Sequence, residues 1–235
     1  SGANAGIRSM AIQADGKILI GGSFTAFNGW VNPFLIRLNT NGTVDENFNT
    51  ANTRITGTVI SLAIHTDGRI LAGMENSTGD QLCRLLPNGQ TDSAFNAGGT
   101  GADLAVKAIC IQPDQKIIIG GNFNQYNTTP GKLIRLLPDG TRDPGFATRA
   151  NNAYNGGVNV ILYQPNGKIL VSWGDHRNSF DEPEGRKVER LNADGTTDAS
   201  FKYNIHPYLN ENIFDLALQN DGKFVAGETI ISRYS

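Results

Sequence analysis

Charge is scarce in this chain and nowhere gathered. Asp, Glu, Lys and Arg make up 18% of its 235 residues and nearly cancel, leaving a net charge of −2. No basic run or stripe occurs, so a nucleic-acid backbone meets no electrostatic footprint and nucleic acid is not expected as a partner. Long apolar runs are missing too. None approaches the roughly 20 residues that a helix needs to cross a bilayer, and no membrane insertion is expected. Two cysteines, Cys83 and Cys110, make a poor disulfide framework. They read as small buried apolar residues and leave the compartment open. The chain opens SGANAG, without an apolar leader, so an exported protein would already have shed its signal. There is no P-loop, no G-x-S-x-G and no GxGxxG. His65, His176 and His206 lie far apart without ligand spacing, so zinc is not expected.

What the chain has is glycine, 28 residues of it, and repetition. QADGKILIGGSF at 13–24 returns as HTDGRILAGMEN, QPDQKIIIGGNF, QPNGKILVSWGD and QNDGKFVAGETI, with turns at Asp15, Asp67, Asp114, Asn166 and Asp221. A second phrase follows in the first four units: RLNTNGTVDENF, RLLPNGQTDSAF, RLLPDGTRDPGF and RLNADGTTDASF. A unit is thus close to 50 residues, as the turn positions show, with approximate bounds 7–56, 57–104, 105–156, 157–211 and a partial 212–235. Before each turn stands an apolar, β-branched run (VISLAIH, VKAICIQ), as for a strand covered on both faces. Asp-Gly and Asn-Gly at the turn predict type I′ hairpins, with Gln115 as an exception that would need another turn. The second phrase is a second hairpin, so each unit reads as a meander of four strands, A to D. Repetition at this length predicts an all-β fold, a β-propeller of five four-stranded antiparallel blades, with the last blade incomplete. Small residues suit strand A to the axis, in columns such as Ser9, Ser61, Ala108, Val160, Asp215 and Ala11, Ala63, Cys110, Leu162, Ala217.

The paired phrases DGKILIGGSF and RLNADGTTDASF resemble the delta-60 repeat of bacterial and phage-encoded β-propellers. That resemblance implies a propeller module, often part of a longer secreted, surface-attached or virion protein, and no catalytic motif. The fifth unit stops at IISRYS, where Arg233 aligns with the Arg of the second phrase. The expectation is a fragment whose missing strand lies just outside it.

A meander puts its A–B and C–D turns at one rim and its B–C and D–A connections at the other. The first set is nearly invariant, while the second varies in length and content. Variable loops on a rigid repeat are where binding concentrates. They hold Trp30, Phe34, Tyr126, Tyr154, Trp173, Phe180 and Tyr208, beside polar residues such as His176 and Arg177. Flat apolar rings rimmed by hydrogen-bonding groups suit a glycan or a protein surface. Trp30 and Trp173 could instead fill gaps between blades. The repeated Arg and Asp of the second phrase form the pairs Arg37/Asp45, Arg84/Asp92, Arg135/Asp143 and Arg190/Asp198. They flank one turn and read as structural contacts, across it or to a neighbouring blade. A calcium loop at Asn192–Asp198 fails the EF-hand order, so no metal and no cofactor is expected. A glycosidase needs two carboxylates about 5–9.5 Å apart. The axis-lining strands offer only Asp215, with Asp103, Asp175, Asp181, Glu182, Glu184 and Glu211 in the loops. The reading is therefore a non-catalytic binding or assembly module, extracellular, surface or virion. Its partners would be a glycan or protein surface and other domains of a longer parent. A purely structural spacer is the alternative.

Overall fold

The structure, a computed structural model, describes residues 2–48, 54–77, 79–149, 156–174, 188–202 and 213–227. Their regular structure is entirely β. The first unit holds β1 (Ile7–Ile12), β2 (Ile18–Gly22), a small hairpin of β3 (Ala26–Phe27) and β4 (Trp30–Val31), and β5 (Leu35–Leu38). The second holds β6 (Thr58–Ile64), β7 (Ile70–Glu75) and β8 (Leu82–Leu85). The third repeats the first with β9 (Val106–Ile111), β10 (Ile117–Gly121), the hairpin β11 (Gln125–Tyr126) and β12 (Thr129–Pro130), and β13 (Leu133–Leu136). The fourth holds β14 (Val158–Tyr163), β15 (Ile169–Trp173) and β16 (Val188–Leu191), and the fifth β17 (Asp215–Leu218) and β18 (Phe224–Gly227). Each unit forms its own antiparallel sheet in chain order, β1-β2-β5, β6-β7-β8, β9-β10-β13, β14-β15-β16 and β17-β18. Among the described residues no pairing joins the last sheet to the first.

Two expectations about the unit are corrected. Strand D is not a strand. After the second turn a single residue, Val44, Thr91, Arg142 or Thr197, bridges back to Leu38, Leu85, Leu136 or Leu191. The chain then leaves the ladder, because the repeated Asp closes a turn of its own. Asp45 Oδ1 accepts the Asn47 amide, Asp92 that of Ala94, Asp143 that of Gly145 and Asp198 that of Ser200. Such a local bond offers the backbone an alternative to sheet pairing. The tight turns are also not type I′. In the first, the Gly16 amide reaches Gln13 O at 2.9 Å while the Gln13 amide reaches Lys17 O at 2.8 Å. Positive φ falls on Gly16 and not on Asp15. This is a type I turn closed by a glycine bulge. Asp15 instead accepts the Lys17 amide, as Asp67, Asp114, Asn166 and Asp221 do two residues on in their turns. Gln115 follows the same pattern at φ +65°, so that turn is no exception.

In the first four sheets the second and third strands, and not strand A, are the most enclosed. β10 is buried at every residue. Its side chains alternate between neighbouring units: Ile117 and Ile119 join Leu71 and Leu82 of the second unit, and Ile118 joins Val158 and Ile169 of the fourth. The core thus lies between the sheets. First strands of successive units lie side by side, β1 on β6, β6 on β9, β9 on β14 and β14 on β17. Glycine sets their approach. A Cβ on Gly21 or Gly120 would stand 2.5 Å from Cγ1 of Val59 or Val158 in the next unit, and one on Gly73 2.4 Å from Val106 O. At these positions the absence of a side chain lets neighbouring sheets pack closely. In the fourth unit Ser172 takes that place and donates to Ile213 O at 3.2 Å. Cys83 is buried and Cys110 half-buried, and both are free. Burial pushes their thiols up to about 12 and about 11.

Candidate binding face

The two rims are separate, as the meander requires. At one, the tight turns meet: Lys17 Nζ lies 2.8 Å from Asp45 Oδ2, linking the A–B and C–D turns. At the other, the B–C connections rest on the D–A loops. Thr56 and Ser77 hydroxyls are 2.6 Å apart, and the Gly174 amide donates to Gly157 O at 2.7 Å.

In the first and third units the loop rim is built the same way. The β3–β4 hairpin turns at Asn28-Gly29, both at positive φ, so this is where a type I′ turn occurs. A preceding Gly-Ala-Asn holds it. Ala3 bridges Phe27, the Asn28 amide reaches Gly2 O at 2.9 Å, and Asn4 Oδ1 accepts the Thr25 and Ala26 amides at 2.9 and 3.0 Å. Gly101-Ala102-Asp103 holds β11–β12 likewise, with Asp103 Oδ1 accepting the Asn124 and Gln125 amides. Asp103 is thus committed to this hairpin. The G-A-[ND] repetition was the sequence signal for this pin.

The predicted aromatics divide. Trp30 stands 47% exposed on its hairpin, with Val31 beside it at 86%. Tyr126 sits where the first unit has Phe27 and is fully buried, its hydroxyl donating to Gly140 O at 2.9 Å. Burial pushes that phenol far above its ordinary range. Trp173 is buried against Val158 and Leu191, at the register that Gly22 and Gly121 occupy in other units, so it fills a gap between sheets. Phe34 packs partly on the core between the first two units, at φ +69°. Tyr126 and Trp173 are enclosed packing residues, and Phe34 is half-buried. Tyr154, His176, Arg177, Phe180 and Tyr208 lie outside the described residues, as do Asp175, Asp181, Glu182, Glu184 and Glu211.

The repeated polar pairs all form. Nε of Arg37, Arg84, Arg135 and Arg190 donates to Oδ2 of Asp45, Asp92, Asp143 and Asp198 at 2.8–2.9 Å. The other expected mode occurs as well. Arg37 reaches Pro87 O at 2.6 Å, Arg84 reaches Pro138 O, and Arg135 reaches Ala193 O at 2.6 Å, each in the following unit. Each guanidinium also lies 4.4–4.7 Å over the phrase's closing ring, Phe48, Phe95, Phe146 or Phe201. The Phe is thus the motif's cation–π partner, a role its position alone did not announce.

Near the loop rim every first strand of the first four sheets carries one extra residue: Arg8, Ile60, Lys107 and Asn159. Such bulges re-aim a side chain. Lys107 Nζ donates to Asn159 Oδ1 at 3.4 Å, and Asn159 Nδ2 to Ile213 O at 3.3 Å, so this rim is tied across three units. Burial holds the Lys107 ammonium below its ordinary value, nearby Glu75 opposes this, and Lys132 adds to it. No cluster of His, Cys, Asp and Glu suited to a metal occurs among the described residues.

Comparison with known proteins places this geometry. A family described as a "Domain of unknown function (DUF5122) beta-propeller" matches residues 13–48, 112–146 and 164–201. Each match runs from the residue before the A–B turn to the Phe under the arginine. The chain is therefore built of repeats of a β-propeller type. Among solved structures it resembles the extracellular domain of BT4673 from B. thetaiotaomicron (17% identity, TM-score 0.59, 96% of this chain and 26% of that one). It also resembles virginiamycin B lyase from Staphylococcus aureus (15%, 0.58, 95% and 63%). A third is PorZ, a bacterial surface component of the type-IX secretion system of Porphyromonas gingivalis (14%, 0.52, 96% and 32%). The chain spans less than two thirds of each, and at these identities the likeness shows the fold alone. No curated protein matches the chain.

Proposed function

We propose that the chain is a single five-bladed propeller domain of the delta-60 repeat kind, serving as a non-catalytic binding module of a longer extracellular, surface or virion protein. Its loop-bearing rim recognises a glycan or a protein surface. One observation carries the reading: Trp30 is held half-exposed on a hairpin that Gly2, Ala3 and Asn4 pin from below. A large ring kept out of the core on a fixed support provides contact area at little ordering cost, which is what recognition uses. Extracellular and surface propellers among the fold relatives support the setting. The purely structural alternative rests on the unit-to-unit arginine contacts, which need no ligand.

A glycan array and a pull-down from cell-surface extract test this. Wild type should retain a ligand that Trp30→Ala loses at unchanged melting temperature. Binding by neither would favour the structural alternative, and equal binding by both would take Trp30 out of the recognition surface.

A further inference from the structure

Three of the joints between units are built as a knob in a seat. Val59, Val106 and Val158, all fully buried, lie against Gly21, Gly73 and Gly120 of the preceding unit, where any Cβ would collide. Leu62 with Ile64, and Ile109 with Ile111, extend the same face and pack on the preceding sheet. By strand pairing, Ile7, Met10 and Ile12 are the first unit's counterparts of these residues. They are nevertheless exposed, Ile7 at 45% and the other two more so. The matching seat stands open on the fifth unit. Gly227 pairs with Asp215 as Gly21 pairs with Ser9. Among the described residues, a Cβ on Gly227 would meet only Asp215 of its own sheet, at 3.5 Å or more. Ala217 is exposed and Val225 half-buried, where Ala11 and Leu19 of the first unit pack against the second. The two faces also carry opposite charges, with Arg8 next to Ile7 and Asp215 opposite Gly227, both exposed.

We propose that these faces are the two halves of a head-to-tail interface between copies of this chain. The first sheet of one copy docks on the fifth sheet of another, with Ile7 over Gly227 and with Met10 and Ile12 on Ala217 and Val225. The molecule itself defines the occupant, because its internal joints show what covers this face: a sheet of the same repeat, with glycine at the seat. An open knob and an open seat on one chain make two copies sufficient for a joint. Grouped apolar side chains left in water mark an interaction surface. Because the faces differ, each pair keeps one knob and one seat free, so association continues into rings or filaments. The interface is independent of what the loop rim recognises.

Light scattering at rising protein concentration tests this. The mass of the native protein should grow with concentration. Met10→Glu with Ile12→Glu removes the knob, Gly227→Val fills the seat, and each should weaken association by at least about tenfold. Neither should lower the melting temperature much, since Met10 and Ile12 stand in water and a Cβ on Gly227 makes only ordinary contacts. Mixing the two variants restores one good joint, the knob of the Gly227→Val copy in the seat of the other, and should give a pair that grows no further. Native protein that stays a single chain at every concentration, as when its own fifth sheet closes on its first, would overturn the proposal. Association that survives Gly227→Val would overturn it too, because like faces would then be meeting, and so would a mixture that stays monomeric.

Discussion

His65 stands where the other units have Gln13, Gln112, Gln164 and Gln219. It is buried between the second and third units, with Nδ1 3.3 Å from Gln115 Oε1 and Arg84, Asp67 and Arg69 close by. Burial lowers its pKa from the ordinary 6.5, and Arg84 lowers it further against the pull of Gln115 and Asp67. The native state therefore favours neutral imidazole. That share of stability is complete above pH 6.5 and is lost as pH falls below it. His65→Gln should remove this component, so that melting temperatures of variant and native protein diverge from pH 7 to pH 5; parallel curves would contradict it. The repeated aspartates act in a lower window. Burial alone would raise Asp45 and Asp143, yet lysine, backbone amide and arginine together hold both below the ordinary 3.8. Their contribution is present above that value and is lost as pH falls through the lower folded values. Asp143→Ala leaves Arg135 buried without its carboxylate and should cost roughly 3 kcal/mol in denaturant unfolding. A loss below 0.5 kcal/mol would show that the pair is ornamental.

Gly120 and Gly42 separate two reasons for glycine. Gly42 has φ +83° and open space around its missing Cβ, so Gly42→Ala should cost only the left-handed penalty, about 1 kcal/mol. Gly120 has ordinary φ, but its Cβ would press into Val158 and approach Ile161. Gly120→Ala should cost about 2 kcal/mol through overpacking, with the sheet spacing disturbed. Denaturant midpoints of both variants check the order. The hairpin under Trp30 depends on one side chain in the same way. Asn4→Ala should speed hydrogen exchange at the Thr25 and Ala26 amides while those of β10 stay protected. Strand pairs, turn positions and the split into two rims were readable in the sequence, because period and turn chemistry are local. The loss of strand D was not, because the Asp that ends it reads equally well as a strand residue. Nor was the burial of Tyr126, which depends on a neighbouring sheet, whereas the gap-filling reading of Trp173 is the one its burial matches.

Protection should be uneven along the array. Met10 and Ile12, which correspond to the packed Leu62 and Ile64 of the second unit, are 66% and 74% exposed. β17 and β18 of the fifth unit are likewise thinly covered. Amides of β7, β10 and β15 should exchange last, and those of β1 and β17 first; uniform exchange would show that the sheets open as one unit. The second-phrase arginines Arg37, Arg84 and Arg135 cross to the next unit and end on main-chain oxygens, supplied by Pro87, Pro138 and Ala193. A hook that grips backbone asks nothing of the side chain it meets. At these three contacts copies can therefore be duplicated, deleted or exchanged in a gene without a matching mutation next door, whereas a side-chain pair such as Arg149 with Glu189 ties one copy to the identity of its neighbour.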